Sequence, residues 1–495
     1  MLNSFRGLKP FQLSEYILLI AYAFVIPFSW RIATYVMIAI FVTTILRGIF
    51  EEGFKTNQAQ YNNRFIYFIS IAFWLIYAIS FLYSENTFEA RILIGRKLSF
   101  LLFPIFFLCS NLSYLNERRV RTILYFFVIG ILTLFFVNLI WAGYDILFGD
   151  FKVHRLYDPY FLEKGTGSIH HTYISIYACL GVIFCFKELF SKTKPITKLF
   201  NIFAIISLIS FTIISKSRAG LICIVLTFTI ILIWLIFIKK KWGIGIYFGI
   251  IMLSVTISCS IVFKKSVSRV IETINNLQNI EREDRRIGIY KGYKDLLLDK
   301  FWFGVGAGDR SEETLKSYIR KKEEIISKIK PINNYTEDFN QKRIDCLESI
   351  WKTYQGTLNN NTFKYAEKKA EEYNCDYNSV RENIATYMNI EVAIKSNCNA
   401  HNQFSDTIIA VGVLGFILYI MMLSMPIYLW FKHRKFDILF FSLTFIMAFN
   451  SLFESVLERQ MGIMFFVFFY FLLFHNIYCQ QTNDNNQQNF VNLND

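Results

Sequence analysis

Only six of the 495 residues are histidines, and none of the nine cysteines stands in a Cys-x-x-Cys or His–Cys spacing. No bound metal and no cofactor are expected on that pattern. The apolar runs are continuous and do not alternate with period 2, which argues against a β-barrel. The apolar segment near residues 11–30 lacks a small-residue cleavage site and is followed almost at once by another, so it is not read as a signal peptide. No internal repeat shows in the long polar segment 264–400. No strand precedes the glycine run Gly304-Val305-Gly306-Ala307-Gly308 and no P-loop lysine follows it, which excludes a Rossmann or Walker nucleotide site and leaves a flexible turn.

Apolar and aromatic side chains are plentiful. The chain is 54% hydrophobic and 18% aromatic, with mean hydropathy +0.36, more apolar than a soluble protein of this length. Its runs are long enough to cross a bilayer as helices, and they predict an all-α polytopic membrane protein of about twelve spans. These fall at 12–30, 32–50, 64–83, 93–110, 121–147, 169–189, 197–214, 219–238, 243–263, 403–431, 436–453 and 460–479. The organisation expected is a transmembrane bundle over 1–263, a large loop domain over 264–400 between spans nine and ten, transmembrane hairpins over 401–480, and a disordered tail over 481–495. Leu315–Ile329 and Tyr365–Tyr373 read as exposed charged helices of the loop domain.

The net charge of +14 does not point to nucleic acid, because much of the excess sits in short loops. Arg47, Lys55 and Arg64; Arg118, Arg119 and Arg121; Lys187, Lys192, Lys194 and Lys198; Lys239–Lys241; and Lys432, Arg434 and Lys435 occupy alternate connections. Those connections are expected inside the cell, together with both termini. The loop domain, Ser84–Glu89, Ser215–Arg218 and Glu454–Arg459 then face outside. Of the cysteines, Cys109, Cys179, Cys185, Cys223 and Cys259 lie in apolar runs as small core residues. Cys346, Cys375 and Cys398 lie in the loop domain, where one disulfide is open to them if that compartment is oxidising.

His401 stands where the polar loop gives way to an apolar helix, on the same expected face as Arg218, Arg286 and Glu454. A histidine at such an edge is a functional candidate. Arg218 in Ser215-Lys216-Ser217-Arg218-Ala219-Gly220 reads either as a hairpin with snorkelling side chains or as a phosphate clamp with a bidentate fork. Arg286 opens an amphipathic stretch. His170 and His171 are interfacial anchors beside Tyr173 or members of the site. Arg91, Arg96 and Lys97 begin the fourth span, and a cation below the headgroups calls for an anion. Glu454 can orient a cation or His401, or pair with Arg459. Arginines can stabilise a departing pyrophosphate without a metal, and a neutral histidine can take a proton from an acceptor hydroxyl.

The order Ser217-Arg218-Ala219-Gly220, Arg286 with an aromatic four residues on, Gly304–Gly308, a long loop, His401-Asn402-Gln403-Phe404 and Gly412-Val413-Leu414-Gly415 resembles the O-antigen ligase and polymerase superfamily. The resemblance covers roughly residues 165–475. It implies a C-type membrane glycosyltransferase that takes a glycan from undecaprenyl pyrophosphate at the periplasmic face of the bacterial inner membrane and passes it to lipid A–core or to another glycan. It implies His401 as base, and Arg218 and Arg286 as pyrophosphate ligands; Lys97 and Arg96 join the expected donor ligands from their place at the start of the fourth span rather than from a motif. Asn402, Gly306 and Gly308 would shape the site. The chain departs from the family pattern at Tyr290, where tryptophan is usual, at Ser405, where leucine is usual, and in the long insertion between Asp309 and Asn399. Ligation is the expected reaction, with repeat-unit polymerisation and protein O-glycosylation as related alternatives. A lipid-linked anion transporter is the alternative of a different class. It is disfavoured by the one-sided polar groups and the lack of a repeat.

Overall fold

The computed structural model describes residues 7–52, 64–148, 171–215, 218–243, 245–246, 285–332, 339–354, 360–395, 400–434 and 436–491. For residues 52, 145, 146, 171, 218, 219, 221, 285–287, 360 and 478–491 it describes the backbone alone. Among these residues the secondary structure is helical, apart from an isolated bridge between Pro331 and Cys375. The helices are α1 (Pro10–Val25), α2 (Trp30–Arg47), α3 (Phe65–Ser80), α4 (Thr87–Arg96), α5 (Ser99–Cys109), α6 (Glu117–Phe148), α7 (His171–Leu189), α8 (Pro195–Ile214) and α9 (Arg218–Ile233). They continue with α10 (Arg285–Asp299), α11 (Arg310–Ser327), α12 (Phe339–Tyr354), α13 (Asn360–Glu372), α14 (Tyr377–Lys395), α15 (Gln403–His433), α16 (Ile438–Ser451) and α17 (Gln460–Val491).

Seven helical stretches are long and apolar enough to cross a membrane, and four shorter apolar helices accompany them: Pro10–Val25, Phe65–Ser80, Ile222–Ile238 and Ile438–Ser451. Together they coincide with every expected span except 243–263, nearly all of which lies outside the described residues. The multi-pass membrane character follows from length and composition. The Asn/Gln-rich stretch expected as a disordered tail from 481 continues α17 as far as Val491.

The centre of the bundle is α17, whose apolar part is almost wholly buried. Lipid tails are as apolar as leucine, so burial gains little in a bilayer and close packing must hold the helices together. Here tilted aromatic pairs supply it. Phe468 meets Tyr22, Phe469 meets Phe127 and Phe465 meets Tyr177, each with centroids 4.5 Å apart. Tyrosines bring hydroxyls that need partners, and Tyr470 Oη finds one in the Met422 carbonyl at 3.1 Å.

Two membrane helices are interrupted. The fourth expected span breaks at Lys97–Leu98 into α4 and α5. α15 breaks at Gly412, whose φ of 75° and ψ of −174° are non-helical.

A second hydrophobic cluster is built by α10–α14, with Tyr293, Tyr318, Ile350, Tyr387 and Ile390 at its centre. Ala400 and Ile409 belong to it, so it reaches the first turns of α15. Cys346 and Cys375 are buried there as free thiols hydrogen-bonded to each other. Cys398 lies outside the described residues.

Candidate functional site

The glycine run is not a free turn; it completes the broken helix. A break at Gly412 deprives Val413 N–H of its usual acceptor, the Ile409 carbonyl. Val413 N–H donates instead to the Phe301 carbonyl at 2.8 Å, while Val305 N–H donates to the Ile409 carbonyl at 2.7 Å. Gly306 N–H donates to the Ala410 carbonyl at 3.1 Å. Val413 N–H and the Ile409 and Ala410 carbonyls are thus all taken up by the turn. The exchange needs backbones in contact. A Cβ on Gly412 would lie 2.1 Å from the Trp302 carbonyl oxygen, and one on Gly304 would lie 2.6 Å from Val411 N. Gly304 and Gly306 also hold φ of 72° and 104°, a region that favours glycine.

The other side of the same turn docks on the end of α3. Ala307 N–H donates to Ser80 Oγ at 3.1 Å and Gly308 N–H to Ser84 Oγ at 3.2 Å. Gly308 lies against the Asn86 carbonyl too closely for a side chain. The Asp309 carboxylate then accepts from Glu85 N–H at 2.8 Å and Asn86 N–H at 2.7 Å.

Arg310, next in sequence, enters a buried cluster of four charges. Its guanidinium is 2.7 Å from Glu458 Oε2 and 3.5 Å from Asp406 Oδ1. Lys97 Nζ is 3.2 Å from Glu458 Oε1, donates to the Leu457 carbonyl at 2.8 Å and lies 4.4 Å from the Tyr77 ring centroid. Ser455 Oγ donates to Asp406 Oδ2. Two cations balance two carboxylates, which is what makes burial of all four tolerable. Burial alone would raise the Glu458 carboxyl, but Arg310 and Lys97 outweigh it and hold Glu458 below its ordinary range. Lys97 was expected among the donor ligands; its ammonium is instead fully buried and occupied by protein groups. Arg96 beside it is exposed and close enough to Glu458 to help hold its charge.

The His401 motif clasps the turn after α16. Asn402 caps α15 by accepting from Ser405 N–H at 3.1 Å and donates to the Leu452 carbonyl at 3.2 Å. Gln403 Oε1 accepts from Leu457 N–H at 2.6 Å. His401 itself takes a left-handed φ of 48°, uncommon for a residue other than glycine. This puts Nδ1 3.7 Å from Glu454 Oε1, with both side chains partly exposed, at 33% and 20%. The distance is that of an electrostatic contact rather than a hydrogen bond. Exposed Arg459 closes the same turn. Glu454 therefore stands beside the histidine.

The remaining expected residues are placed by their helices. Arg218 opens α9, and α9 meets the end of α16 through Cys223, whose Sγ is 3.0 Å from Asn450 Nδ2. Arg286 lies in the first turn of α10, which bonds to the start of α15 through Tyr293 and Ser405. His171 opens α7, and Tyr173 Oη donates to the Val456 carbonyl at 3.2 Å. The side chains of Arg218, Arg286 and His171, and His170 entirely, lie outside the described residues.

Sequence reasoning missed Asp406, Arg310 and Gln403. Asp406 carried a usable signal, an acid inside an apolar run. Arg310 carried none, being one of many charges in a polar loop. Among the described residues no three His, Cys, Asp or Glu side chains converge as metal ligands. No family model and no curated protein matches the chain.

Proposed function

We propose that this chain is a metal-independent glycosyltransferase that moves a glycan from a polyprenyl pyrophosphate to an acceptor hydroxyl, as a ligase or polymerase of surface polysaccharide. The observation that carries the reading is His401, held in a left-handed conformation beside Glu454 where four chain segments meet. A carboxylate next to Nδ1 favours the proton on that nitrogen and makes Nε2 the base. Nε2 takes the acceptor hydroxyl proton as the oxygen bonds to the anomeric carbon. The carbon–oxygen bond to the lipid pyrophosphate breaks in the same step, and the pyrophosphate leaves with its electron pair. Arg218 and Arg286, with Arg96 and Arg459 at the rim, would stabilise that charge. Lys97 would act behind them by holding Glu458. In this reading the site faces the periplasm from the inner membrane, undecaprenyl pyrophosphate carries the donor, and lipid A–core is the first acceptor to test.

The two interrupted helices are the feature that favours a lipid-linked anion transporter instead. Their breaks adjoin the same junction at one end of the bundle, which suits an enzyme open to one side.

The test is surface glycan analysis of a deletion strain complemented with wild type or His401→Ala. Wild type restores the glycan and His401→Ala does not, although it accumulates in the membrane. Deletion that leaves polymer on its lipid carrier and bare core identifies a ligase. Single repeat units on core identify a polymerase. Near-normal glycan with His401→Ala removes the histidine from the mechanism.

A further inference from the structure

The opposite end of the bundle carries a cavity that the transfer reaction does not use. α7 spans the distance between the two. Its first turn touches Val456 through Tyr173, and its last touches Arg121 through Glu188, 3.2 Å from Arg121 Nε. The cavity lies between the first turns of α6 and α8 and holds about 600 Å³. Arg118, Arg121, Lys192 and Lys194 line it. Arg121 is paired to Glu188 and, at 3.8 Å, to Glu117. Arg118, Lys192 and Lys194 have no carboxylate partner among the described residues. Thr193 Oγ1, on the same wall, is buried without a hydrogen-bond partner.

The other wall is apolar and is continued by exposed rings along α6 and α8. Tyr125 and Phe200 face each other at 6.1 Å, and Ile129 lies one turn deeper on α6. Beyond them the exposed rings of Phe136 and Phe203 stack across α6 and α8, 6.0 Å apart and nearly parallel. A cationic recess beside an unpartnered hydroxyl, leading into an apolar furrow between two membrane helices, fits one kind of molecule.

We propose that this cavity is a binding site for an anionic phospholipid. The phosphate ester sits among Arg118, Lys192, Lys194 and Thr193, and an acyl chain lies along the α6–α8 furrow past Phe200 and Phe203. Basic recesses between membrane helices at an anionic leaflet attract such headgroups. Apolar contact along the furrow separates a lipid phosphate from a free one.

Native mass spectrometry of the full-length protein in an uncharged detergent tests this, with phosphatidylglycerol, phosphatidylcholine of the same chains, or inorganic phosphate added. Wild type is expected to retain phosphatidylglycerol in preference to both. Each cation near the surface contributes about fivefold, so Arg118→Gln with Lys194→Gln loses roughly 25-fold in apparent affinity. Thr197→Trp fills the cavity at constant charge and is expected to lose the same preference. Because the two variants act differently, a folding defect in one leaves the other as the test, with melting temperature as the check. Equal retention of the two lipids by wild type overturns the proposal. So does a preference that survives both variants, or one that inorganic phosphate matches.

Discussion

Glu458 lies between two cations, and Arg310 between two carboxylates, so neither can be removed alone without stranding a buried charge. Arg310→Ala or Glu458→Ala is expected to destabilise the protein by about 3–5 kcal/mol, read as a fall in melting temperature of the purified protein. A variant that melts like wild type would mean that water reaches the cluster and screens it. The pH dependence has a fixed sign. The cluster holds the Glu458 carboxyl below its ordinary value of 4.5, so its contribution is fully present above that value. It is lost as the pH falls through the depressed one. Melting temperature should therefore fall on acidification in wild type and fall less steeply in Glu458→Gln. At this scale the meeting of the His401–Asn402 motif with the turn that carries Glu454 was legible, because these residues stand at polar–apolar boundaries assigned to one face. The charge cluster was not legible, because its members come from four separate stretches and only folding brings Arg310 to Glu458.

At the level of elements the junction depends on Gly412 and on the glycines of the 304–308 turn. Helix positions were readable from continuous hydropathy, since a bilayer demands long apolar runs whatever the packing. The interruption at Gly412 was not readable, because a glycine in an apolar run is ordinary in membrane helices. What distinguishes Gly412 is the Trp302 carbonyl lying where its Cβ would be. Gly412→Ala should therefore break the exchange between Phe301–Gly306 and α15, lower the melting temperature and abolish transfer. Gly95→Ala is the contrast. Gly95 is helical, nothing lies within 4 Å of its would-be Cβ, and the change is expected to be neutral or stabilising by up to about 1 kcal/mol. If both substitutions behave alike in melting and in glycan assays, the turn is not what holds the broken helix.

Two sets of polar groups divide the whole molecule. The basic connections assigned inside from charge alone are gathered at one end by contacts: Glu15 pairs with Arg47 at 2.7 Å, Tyr114 Oη donates to Glu15 at 2.8 Å, Arg121 reaches Glu188, and Lys187 reaches Asp437 at 3.3 Å. The segments assigned outside meet at the other end, where Asp309 binds the backbone of Glu85 and Asn86, and Arg310 meets Glu458 and Asp406. Charge bias separated the two sets because lysines and arginines concentrate in alternate short connections. It could not show that the loops of one set touch. An enzyme acting on a lipid-borne donor needs access from one end only, whereas an alternating-access carrier must open the same groups to both. Single cysteines at Arg96, Glu454 and Arg459, in a background whose other exposed thiols are removed, decide between them. Labelling of intact cells by a membrane-impermeant maleimide, unchanged by donor or by energisation, is the outcome expected of the enzyme. Labelling that shifts to the cytoplasmic side under turnover would make the junction at Gly412 a gate and the chain a transporter.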